Sequence, residues 1–66
     1  MDRYSQDDLL EAKRAIDSLI GKSQKAHSSL LSKDPQRYKG QLTLLSNRIK
    51  ALEIGVELIV RELNQT

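Results

Sequence analysis

Apolar or small side chains recur at alternating spacings of three and four along most of this chain, and the pattern breaks once, at Asp34-Pro35. Before the break the ladder runs Leu9, Ala12, Ile16, Leu19, Ser23, Ala26, Leu30. After it the ladder runs Tyr38, Leu42, Leu45, Ile49, Leu52, Val56, Ile59, Leu63. Residues spaced this way share one stripe of an α-helix, and a sustained stripe is the pattern of helices that pack side by side. Two such stripes joined by a short polar connection predict an antiparallel two-helix hairpin, coiled-coil-like and all-α. The expected organisation is a single domain over residues 1–66, with a first helix at about 5–32, a turn at about 33–34 and a second helix at about 35–63.

Local signals mark the ends. Ser5 is a favoured N-cap, and Asp8 three residues later makes a near-match to a capping box. Tyr4 and Leu9 hold the positions of a hydrophobic staple. Asp7, Asp8 and Glu11 sit where a helix dipole favours negative charge. Pro35 disfavours helical geometry at Asp34, whose side chain suits the N-cap of a helix that starts at Pro35. Gly21 costs a helix about 1 kcal/mol relative to Ala. It falls away from the stripe, so a continuous first helix is expected. A turn near Lys33 would set Ala26 opposite Leu42, Ser23 opposite Leu45, Leu19 opposite Ile49, Ile16 opposite Leu52, Ala12 opposite Val56 and Leu9 opposite Ile59.

Composition narrows the alternatives. With 66 residues the chain is marginal as a lone domain unless something staples it, and it has no cysteine to form a disulfide. Tight helix packing or oligomerisation is left. Aromatic residues are limited to Tyr4 and Tyr38, which fits helices better than sheets. No apolar run is long enough to span a bilayer, and Met1 to Ser5 lacks the apolar core of a signal peptide. A cytoplasmic location is expected.

The second helix carries more apolar surface than one stripe can use. Leu44, Ala51, Ile54, Leu58 and Val60 lie off the ladder, and Ala51, Ile54, Gly55 and Leu58 are expected to cluster on an outward face. The first helix adds Leu10, Ile20 and Leu31. A helix apolar on more than one face is normally covered on more than one face. A second copy of the chain, giving a four-helix homodimer, or another helical protein is the expected partner. Charge supports this. Residues 1–20 hold five acids and three bases, and residues 21–40 hold five bases and one acid. Folding the hairpin puts a basic cap at the loop end and an acidic cap at the termini, which two oppositely directed hairpins could pair.

No residue set points to catalysis, a metal or a cofactor. His27 is the single histidine and has no carboxylate near it in sequence. Asp7, Asp8 and Glu11 lack the inward Glu-x-x-His pattern of bundle metal sites. Gly21-Lys22-Ser23 looks like the tail of a phosphate loop, but Ile16 stands where the motif needs glycine. Asn64-Gln65-Thr66 is formally a glycosylation acceptor without a secretion signal. The alternative to an interaction module is a small nucleic-acid-binding regulator that uses the loop-end bases Lys25, Lys33, Arg37 and Lys39 on phosphates. A net charge of +2 is low for a dedicated nucleic-acid binder.

The segments YSQDDLLEAKRAIDSLI, from Tyr4, and LLSNRIKALEIGVELIVREL, from Leu44, resemble a group of small bacterial helical-hairpin proteins with no known activity. Tyr4, Ser5, Asp8, Leu9 and Asn47 to Leu52 carry the likeness, which implies a bacterial origin and no particular chemistry. A dimer of such hairpins is similar in fold to the plasmid RNA-binding Rop bundle. The RNA-contacting residues of that family have no counterparts in this sequence, and a shared fold does not imply a shared function.

Overall fold

A computed structural model describes residues 4–65. The leader reading of Met1 to Arg3 and the acceptor Thr66 lie outside the described residues. The chain forms two helices, α1 (Gln6–Lys33) and α2 (Lys39–Asn64), packed side by side as a hairpin with extents of 48 × 15 × 14 Å. No strand occurs among the described residues.

The start of α1 follows its sequence signal. Ser5 is extended at φ −73° and ψ 165°, and its hydroxyl accepts the Asp8 N–H at 3.1 Å. The Asp8 carboxylate accepts the Ser5 N–H at 3.4 Å, which closes the capping box. Tyr4, read as half of a staple, keeps most of its surface in solvent. The helix runs through Gly21 without a break, because that position meets only open space and nothing there competes with helical backbone.

The connection differs from expectation. Asp34 is extended, as its place before proline requires, and ends α1. Pro35 does not open α2. Asp34 caps a separate turn instead: its carboxylate accepts the Arg37 N–H at 3.3 Å, and its carbonyl accepts the Tyr38 N–H at 3.2 Å. Tyr38 then leaves helical geometry at φ −103° and ψ 21°, and α2 starts at Lys39 with no side-chain cap and no acid in its first turn. The turn therefore occupies residues 34–38 and its midpoint moves toward the C-terminus.

That shift moves the register by one rung. Ser46 Oγ and His27 Nε2 share a hydrogen bond of 3.1 Å across the hairpin, and Gly55 abuts Ile16 Cδ1. The antiparallel run fixed by these contacts sets Leu30, not Ala26, at the level of Leu42. By the same run Ser23 meets the level of Ile49, Ile16 that of Val56, Ala12 that of Ile59, and Leu9 that of Leu63.

All seven ladder residues of α2, and Tyr38 just ahead of it, are half-buried against α1. On α1 the outcome is different. The covered line runs Leu9, Lys13, Ile16, Ile20, Ser23, His27, Leu30, with Ala12 beside it. Leu19 is 49% exposed and Ala26 is exposed too. The helix is rotated so that Lys13, Ile20 and His27, the residues after Ala12, Leu19 and Ala26, turn toward α2, while Leu9, Ile16, Ser23 and Leu30 keep their places. Lys13 can lie on this line because its aliphatic stem packs while its ammonium pairs with Asp17 at 2.8 Å. Ser23, 7% exposed, is the one buried residue among those described, and no described apolar side chain is buried. Its small side chain sits where the two helices close on each other.

Candidate interaction face

The rotation of α1 gives the hairpin two unlike sides. One groove between the helices is lined by Leu19, Lys22, Ala26 and Ser29 from α1 and by Leu44, Leu45, Arg48 and Leu52 from α2. The opposite side carries Gln24, His27 and Ser28 facing Ser46, Ile49, Lys50 and Glu53. The first side is largely apolar and the second is the more polar of the two. Helical spacing extends the apolar side toward the chain ends. On α1 it takes in Ala15, Ala12 and Glu11. On α2 it takes in Ala51, Gly55, Leu58 and Glu62, each about one turn from the last.

Ala51, Ile54, Gly55 and Leu58, the four residues expected to form an outward cluster, lie along one side of α2 but are covered to different extents. Ala51 and Leu58 are exposed on the apolar side, Leu58 at 55%. Ile54 is 50% exposed and points directly away from α1. Gly55 is half-buried, and a Cβ placed on it would meet Ile16 Cδ1 at 4.0 Å. Gly55 thus borders α1 rather than facing outward with Ile54, because a residue directly before a ladder position, here Val56, lies on the flank of the contact. Leu44, 66% exposed, belongs to the same apolar side nearer the loop. The ladder alone could not reveal Leu19 and Ala26 as members of this side.

The loop-end bases are all exposed. Lys33 ends α1, Lys39 begins α2, and the Arg37 guanidinium lies 5.6 Å from the centre of the Tyr38 ring. Lys25 is about two turns back along α1. Tyr38 is half-buried and held under Arg37, so the one aromatic ring at this end is engaged within the hairpin.

Asp8 is committed to the capping box, and no group of acids, histidines or cysteines suited to hold a metal ion occurs among the described residues. No helix among the described residues is long and apolar enough to cross a membrane. No protein-family model, curated protein or solved structure matches the chain.

Proposed function

We propose that this chain is a non-enzymatic, self-associating helical interaction module that works in the cytoplasm and acts by docking helix faces. The observation that carries this reading is the mismatch between apolar content and apolar burial. Leu10, Leu19, Leu31, Leu44, Ile54 and Leu58 are all exposed, while no described apolar side chain reaches full burial. Burying apolar area contributes about 25 cal/mol per Å², so a half-covered seam offsets little of the entropy lost on ordering two long helices. Covering a second face supplies what the first seam lacks.

Association that binds only the folded hairpin makes its stability depend on concentration. The melting temperature, followed by helical circular dichroism, should climb as the protein is made more concentrated. A melting temperature unchanged over a hundredfold concentration range would remove the support for self-association.

A further inference from the structure

We propose that the second copy docks antiparallel on the apolar side, with a two-fold axis passing at the level of Gly55 and Ile16, so that α1 stacks on α1 and α2 on α2. The inference rests on the self-association reading and adds the face, the direction and the pairs.

It follows from the placement of charge on this side. Along α2 the residues on it are Arg48, Ala51, Gly55, Leu58 and Glu62. Arg48 and Glu62 lie equally far from Gly55, about 10 Å in each direction at 1.5 Å per residue. Nothing charged stands between them on this side. Along α1 the corresponding residues run from Glu11 through Ala12, Ala15 and Leu19 to Lys22. The midpoint of that stretch falls next to Ile16, which touches Gly55 across the hairpin. Both helices therefore present an uncharged, partly small-residue stretch centred on one level, with acid toward the termini and base toward the loop. Glu11, Lys22, Arg48 and Glu62 are exposed and form no ion pair with each other or with any other described residue.

Two docking directions can bring this side against itself with two-fold symmetry. In the antiparallel one each helix meets its own copy reversed about Gly55. Arg48 then faces Glu62 of the second copy, and Lys22 faces Glu11. In the parallel one α1 meets α2 of the second copy, Lys22 faces Arg48, and Glu11 faces Glu62. Like charges set opposite each other at an interface are penalised, so this layout selects the antiparallel arrangement. Gly55 and Ala51 at the centre let the two α2 backbones approach closely. An interface of the usual size takes about 800 Å² per partner, a modest share of the 5405 Å² surface of this hairpin.

The test uses the full chain and sedimentation equilibrium. Arg48→Glu should weaken dimerisation at least about tenfold, since it opposes two Glu62 side chains at once, and Arg48→Glu with Glu62→Arg should restore it. Lys50→Glu, on the polar side, should leave the dimer unchanged. Because the chain has no cysteine, Gly55→Cys gives a single thiol that should form a disulfide-linked dimer on mild oxidation, whereas Lys50→Cys should not. Helical circular dichroism checks that each variant folds. A wild-type dimer that is indifferent to Arg48→Glu and leaves Gly55→Cys unlinked would overturn the proposed face and direction while self-association stands. A wild-type monomer at every concentration would overturn both.

Discussion

Ser46 on α2 and His27 on α1 meet through a 3.1 Å hydrogen bond across the hairpin, and this pair marks both the register and the rotation of α1. His27 occupies a half-buried position on the contacting line that Ala26 was expected to hold. Replacing a polar ring there with an aliphatic side chain of similar reach should gain more from apolar contact than is lost with a solvent-accessible hydrogen bond. His27→Leu is expected to raise stability by about 1 kcal/mol. Urea denaturation checks it, and a loss of stability would mean that the hydrogen bond outweighs the packing.

Removing the N-terminal cap should cost stability in a predictable amount. The Ser5 hydroxyl accepts the Asp8 N–H at 3.1 Å, and nothing else is in place to satisfy that donor except water. Ser5→Ala is expected to lower stability by about 1 kcal/mol in chemical denaturation. No change would show that the first turn of α1 contributes nothing to the folded hairpin.

Gly21 is a position where packing within the hairpin asks for nothing. A Cβ there meets no atom within 4 Å, and α1 continues straight through it. Gly21→Ala should therefore stabilise the protein by about 1 kcal/mol through helix propensity alone, with no change in oligomeric state. A melting temperature that fell would place an unseen contact on that side of α1.

The turn should be sensitive at Asp34. Its carboxylate holds the Arg37 N–H at 3.3 Å and its extended backbone ends α1 before Pro35. Asp34→Ala should cost about 1 kcal/mol by removing the cap of the connecting turn. Helicity should stay close to that of the wild type, because neither long helix depends on this bond. A large loss of helicity would show that α2 is nucleated from Asp34 after all.

The two helices, their antiparallel pairing and the stripe from Tyr38 to Leu63 were legible in the sequence, because the three-four spacing is unbroken on each side of the reversal. The α1 face was not. Leu9, Ile16, Ser23 and Leu30 belong to two neighbouring ladders, one completed by Ala12, Leu19 and Ala26 and the other by Lys13, Ile20 and His27. Hydropathy favours the first, but side-chain packing against α2 selects the second. Lys13 is tolerated through its stem and His27 through its bond to Ser46. The turn was read too early because Asp34-Pro35 carries the signals of a helix start, while Tyr38 steps out of helical geometry before Lys39. Gly55 was assigned outward with Ile54, but it directly precedes Val56 on the stripe and so lies on the flank of the contact with Ile16.

The most direct test of the account is the solution mass of the wild-type chain by sedimentation equilibrium over a wide concentration range. Twice the 7.5 kDa chain mass at high concentration, falling toward the single-chain value on dilution, is the predicted result. A mass of 7.5 kDa at every concentration, from a fully helical sample, would contradict it.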